Sequence, residues 1–127
     1  MAMIRTHRDL IAWQKGMALI RPAYLAARVA TAQRDFSFAN QIRRASVSVV
    51  TNIAEGFERG GRKEFHQFLS VAKGSAAEVR TLIRVAADLG YLTSEESAGA
   101  LRQSEEVGRL LGGLRAAVGR QRETNSR

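Results

Sequence analysis

The chain has 127 residues, 45% apolar and 25% charged, with a formal charge of +8 and no cysteine. That length fits one domain with a core of its own, and the apolar share excludes a globally disordered chain. Without cysteine there is no disulfide, no thiolate nucleophile and no cysteine-ligated metal.

Seventeen of the 20 cations are arginine, leaving Lys15, Lys63 and Lys73. The guanidinium fork matches phosphate better than an ammonium does, so the composition points to an anionic partner such as nucleic acid. Arginine codon usage in a GC-rich genome gives the same count, and composition does not separate the two. Arg5, His7, Arg8 and Asp9 interrupt any apolar leader, and no apolar run reaches bilayer length. The expectation is a cytoplasmic protein without membrane association.

Met1 to Thr6 is a lead-in. Leu10, Trp13, Met17, Ile20, Tyr24 and Ala27 recur at spacings of three and four, which predicts a first helix over about His7 to Ala30. Pro22 predicts a kink inside it rather than an end. After a connection over Thr31 to Ser37, Asp35 or Ser37 is the expected N-cap. Phe38, Ile42, Ala45, Val49, Ile53 and Phe57 form the face of a second helix. Its β-branched run around Val47 to Ile53 suits a strand, but the helical period continues on both sides.

Gly60-Gly61 predicts the end of that helix, and a third follows from about Arg62 to Leu89. Its expected core face is Phe65, Phe68, Ala72, Val79, Leu82, Ala86 and Leu89, with Ser75 or Ala76 filling the gap. Gly90 reads as its C-cap, and Thr93 with Glu96 has capping-box spacing. A fourth helix carries Leu101, Val107, Leu111, Leu114 and Val118, together with Gly99, Gly108, Gly112 and Gly113. Each helical glycine costs about 1 kcal/mol relative to alanine, so this helix depends on packing, and its glycines allow close approach. Residues 119–127 are expected to form a polar, frayed tail beyond a single domain over 1–118. Four amphipathic helices with short links predict an all-α, antiparallel up-down-up-down four-helix bundle.

A second line on helix two, Gln41, Arg44, Ser48, Asn52 and Glu55, shares one face. Ser75 and Glu78 on helix three come within reach of it. An exposed face favours Glu, Lys and Gln over Ser and Asn, so the line reads as a paired polar network or subunit contact. In it Arg43 or Arg44 would pair with Glu55 or Glu78. The alternative is a solvated helix face. The turn Arg59-Gly60-Gly61-Arg62-Lys63 opens helix three, where free amides and the helix dipole favour anions. It reads as a phosphate contact through Arg59, Arg62 and Lys63, with Arg43 as a further candidate, or as a solubilising turn offset by Glu58 and Glu64.

Catalytic constellations are sparse. The Glu-x-x-His pattern of di-iron bundles is absent, as is a Walker-type phosphate loop. Glu55 with Asn52 is the one pair to test for acid-base work. The expectation is a non-enzymatic protein with no metal, no cofactor and no small-molecule substrate.

The motifs Gln41-Ile42-Arg43-Arg44-Ala45, Ser48 and Asn52-Ile53-Ala54-Glu55-Gly56-Phe57 continue into Lys63-Glu64-Phe65, Phe68-Leu69, Ala72-Lys73-Gly74-Ser75, Glu78 and Asp88-Leu89-Gly90-Tyr91. With a weaker match at Asp9-Leu10 and Ala12-Trp13-Gln14, the chain over about His7 to Val118 resembles the bacterial proteins encoded in intervening sequences of the 23S ribosomal RNA gene. Retroelement accessory-variability proteins share that fold. The resemblance implies a helical bundle assembling as a ring, with a homopentamer favoured, and a role in binding RNA or DNA. It carries over no catalytic residue. Many members have proline where Val50 stands, so helix two is expected to be straighter here, or bent at Gly56 or Ser48. The competing expectation is an oligomeric protein-interaction scaffold that binds no nucleic acid.

Overall fold

The computed structural model describes residues 3–125. After a single 3-10 turn at His7–Asp9, four helices follow: α1 (Ile11–Ala32), α2 (Phe36–Glu58), α3 (Arg62–Asp88) and α4 (Ser94–Asn125). The links between them span residues 33–35, 59–61 and 89–93. Links that short make sequential helices antiparallel. α1 packs on α2 and α4, α3 packs on the same two, and α1 barely meets α3, which is the expected four-helix bundle.

Each boundary has a local cause. Asp35 caps α2 by accepting the Phe38 amide at 3.2 Å. α1 closes with a Schellman motif: the Asp35 amide bonds Ala30 O at 2.8 Å, and the Arg34 amide bonds Thr31 O at 3.0 Å. The left-handed residue in that motif is Arg34, at φ 64°. α3 closes in the same way, with Gly90 at φ 78° and the Tyr91 amide on Ala86 O at 2.7 Å. Thr93 and Glu96 form the expected capping box, each side chain bonding the other's amide at 2.9 and 3.1 Å. α1 runs through Pro22 without ending. α2 is likewise continuous, and Val50 is buried against Gly16 of α1.

The core faces of α2 and α3 largely match expectation, with Ile42, Val49, Ile53, Val79 and Ala86 buried. Leu89 is a correction: it caps α3 and is exposed, while Leu69 and Ile83 are fully buried in the core. α1 needs a larger one. It buries a small-residue stripe, Ala12, Gly16, Leu19, Ala23, Ala26, Ala27 and Ala30, and leaves Met17 and Tyr24 exposed with Trp13 and Ile20 half-buried. The reason is close approach to α2. A Cβ on Gly16 would lie 2.9 Å from Val50 Cγ1, so the inward face has no room for Met or Tyr.

The buried hydroxyls need no partner across the core. Ser46, Ser97 and Ser104 donate to the carbonyls of Arg43, Ser94 and Leu101 on their own helices, and no buried side-chain polar atom lacks a partner among the described residues. α4 continues beyond Val118, where the tail was expected to begin, through Asn125. Residues 120–123 (Arg, Gln, Arg, Glu) all favour helix. Ser126 and Arg127 of that expected tail lie outside the described residues. Among the described residues no helix is long and apolar enough to cross a membrane.

Candidate nucleic-acid interface

The bundle brings the charged and polar candidates together in three places. The first is the outer face of α2. Helical spacing aligns Gln41, Arg44, Ser48, Asn52 and Glu55 there, and α3 presents Ser75 beside them. Ser48 Oγ lies 2.8 Å from Ser75 Oγ. Asn52 Nδ2 donates to Ser48 O at 2.7 Å and to Ser48 Oγ at 2.9 Å. These three side chains are half-buried, whereas Gln41, Arg44, Glu55 and Glu78 are exposed. The two serines of this hydroxyl–amide network line an open groove, together with Tyr24 of α1 and Glu78 of α3.

The ion pair expected there does not form. Glu55 pairs with Arg59 at 2.9 Å, and Arg43 donates to Asn40 Oδ1 at 2.6 Å. For Glu55 the cause is distance along one helix. Arg44 and Glu55 are eleven residues apart, about 16 Å of helical rise, whereas Arg59 sits one turn after Glu55. As an acid-base pair, Glu55 and Asn52 are held apart in role: the carboxylate is engaged by Arg59 in solvent, and the amide is spent on Ser48.

The second place is the basic turn. Gly60 takes φ 79°, and Gly61 is the N-cap of α3. Glu64, in the first turn of α3, folds its carboxylate back over Gly61, so close that a Cβ there would lie 2.5 Å from Oε1. The positive pole of α3 therefore already faces a carboxylate of its own chain. Arg59 is bound to Glu55 and stacks its guanidinium 5.2 Å from the Phe68 ring centroid. Arg62 and Lys63 are exposed on the outside of the turn.

The third place is a groove between α3 and α4, whose cations the sequence reading did not single out as site residues. Lys73, Arg80, Arg109 and Arg115 line it, with Glu105 as its one carboxylate among the described residues and Gly74, Gly108 and Gly112 beside them. Arg115 Nε donates to Ser70 Oγ at 2.6 Å. Among the described residues Lys73, Arg80 and Arg109 make no ion pair, unlike Lys15, which pairs with Glu106, and Arg59, which pairs with Glu55. The signal in the sequence was the recurrence of Gly108 and Gly112 one turn apart beside Arg109 and Arg115.

Comparison with known proteins adds a family and a fold. A model of the 23S rRNA-intervening sequence proteins matches residues 8–113. A solved structure of a protein of unknown function from the S23 ribosomal protein family of Bacteroides thetaiotaomicron superposes with a TM-score of 0.74 at 24% identity. The alignment covers 82% of this chain and 97% of that one, and at that identity the likeness is one of fold. No curated protein matches the chain.

Proposed function

The chain belongs to the 23S rRNA-intervening sequence protein family, and on that premise we propose that it is a non-enzymatic, cytoplasmic bundle that self-assembles and binds RNA or DNA through arginine-rich surfaces. The observation that carries the reading is the set of cations left without carboxylate partners. Lys73, Arg80 and Arg109 line one groove with no ion pair among the described residues. Like charges held together are a standing electrostatic cost that a bound polyanion removes. Arg62 and Lys63 at the turn, and Arg43 on α2, extend the basic surface. Arg59 contributes fully only if it leaves Glu55.

Self-assembly is supported by the apolar side chains that the bundle does not use. Met17 and Tyr24 on α1, and Val71, Val85 and Leu89 on α3, are all exposed. A homopentameric ring is the form the family resemblance favours. The same residues support the second reading, an oligomeric scaffold that presents exposed apolar side chains to another protein.

The test is fluorescence anisotropy against a structured RNA and a DNA duplex over a salt series. Binding through phosphates gives an affinity that falls linearly in log–log with salt, by about 0.9 in slope per phosphate contacted. Absence of binding, or binding indifferent to salt, overturns the reading. Nuclease-insensitive capture of a defined protein partner would favour the scaffold instead.

A further inference from the structure

Two kinds of glycine occur inside the helices of this bundle. Gly16 and Gly56 are forced by packing, because an added Cβ would meet Val50 Cγ1 at 2.9 Å and Phe68 Cβ at 2.5 Å. The glycines of the α3/α4 groove are not. A Cβ on Gly112 would sit 3.5 Å from Lys73 Cε, and one on Gly108 would sit 3.6 Å from Arg80 Nη1, both ordinary contacts. Gly74 has nothing within 4 Å. Helical glycine is unfavourable, and the fold alone does not require it at these three positions. What glycine provides here is a floor at backbone level between two rows of cations.

We propose that this groove tracks the phosphate backbone of double-stranded nucleic acid; the proposal rests on the nucleic-acid reading above and assigns it a site and a substrate form. Lys73 and Arg80 project from α3 along the α4 glycines, and Arg109 and Arg115 face them from α4. The bond from Arg115 Nε to Ser70 Oγ orients that guanidinium with one of its five donors and leaves the rest for an anion. Lys73 and Arg80 are seven residues apart, about 10.5 Å along the helix, which is roughly three base-pair steps of a duplex. Among the described residues, four cations against the single carboxylate Glu105 make the groove an anion site along its length.

The groove has no aromatic lining. Binding of unpaired bases relies on aromatic platforms for stacking, so a groove built from guanidinium, ammonium and glycine reads charge and shape. That selects the continuous backbone of a duplex over a single strand, without sequence preference.

The test is anisotropy with labelled RNA and DNA duplexes of one sequence, and with the corresponding single strands, over a salt series. The groove variant is Lys73→Gln/Arg80→Gln/Arg109→Gln/Arg115→Gln. The turn variant is Arg59→Gln/Arg62→Gln/Lys63→Gln. Far-UV circular dichroism verifies folding. The expected result is duplex binding by the wild type, a salt slope shallower by about 3.6 in the groove variant, and retention of most of the affinity in the turn variant. Gly74→Leu, which keeps every charge and meets open space, is expected to weaken duplex binding at least tenfold and keeps the proposal testable if the quadruple variant does not fold. A preference for single strands, or a groove variant and Gly74→Leu that both bind like wild type, overturns the groove assignment while leaving the broader reading intact. A wild type that binds no nucleic acid overturns both. RNA against DNA duplex affinity identifies the source.

Discussion

Gly56→Ala sets helix propensity against close packing, because the two predict opposite signs. Propensity alone favours alanine inside a helix by about 0.5–1 kcal/mol. The geometry opposes it: the new Cβ would lie 2.5 Å from Phe68 Cβ and 3.2 Å from the Phe65 ring. The Cβ of Phe68 is fixed to the α3 backbone, so no rotamer change relieves the clash, and α2 and α3 must separate. Overpacking of this kind typically costs about 1–3 kcal/mol, which leaves a net loss of up to about 2.5 kcal/mol after the propensity gain. For a domain of this size that is a fall in Tm of up to roughly 9 °C. Gly74→Ala is the internal control, since a Cβ on this exposed α3 glycine meets open space, and it is expected to gain about 0.5–1 kcal/mol. Urea unfolding followed by circular dichroism reads both variants against the wild type. If Gly56→Ala equals or exceeds the wild type while Gly74→Ala rises, the close-approach argument is wrong.

Other expectations follow from specific contacts. A Ser48→Ala/Ser75→Ala double-mutant cycle is expected to give a coupling of about 0.5–1.5 kcal/mol for their hydrogen bond; a coupling near zero would remove the network from the stability argument. The Tyr91 phenol donates to Asp35 at 2.7 Å, and that bond, with burial, holds its pKa above the ordinary tyrosine value. The folded state therefore keeps a proton that the unfolded chain releases, and the associated stability declines as pH rises through the folded pKa. Ultraviolet titration should show Tyr91 ionising late and Asp35→Asn moving it earlier; an unmoved titration would contradict the bond. Met17→Glu, at an exposed position, is expected to leave the helical content unchanged and to lower the oligomeric mass measured by light scattering after size-exclusion chromatography. An unchanged mass would remove α1 from the self-assembly surface.

The helices were legible because their punctuation is chemical. Gly60, Gly90, Asp35 and the Thr93–Glu96 pair each do locally what their residue types allow. The end of α1 was not, since Arg34 occupies a left-handed position usually marked by glycine. The inward face of α1 was misread for a related reason. Periodicity weights Trp13, Met17, Ile20 and Tyr24 by size, but Gly16 lets α2 come so near that only Ala, Gly and Leu19 fit inside. Of the candidate site residues, Ser48 and Asn52 could be placed together from helical spacing, and Ser75 only from the antiparallel packing of α3 on α2. The partner of Glu55 required knowing that Arg59 continues the same helix. The α3/α4 groove required knowing which cations the antiparallel packing sets opposite which glycines.

Asp35 and Tyr91 each follow the left-handed residue that closes a helix, and their side chains meet. One is in the α1–α2 link and the other in the α3–α4 link, 56 positions apart in the chain. The bond therefore joins the two helical hairpins at their connections as well as through the core between them. Loosening either link withdraws a partner from the other, so both links should open to exchange in a single event. That coupling favours unfolding as one body over two hairpins that dissociate and melt in turn.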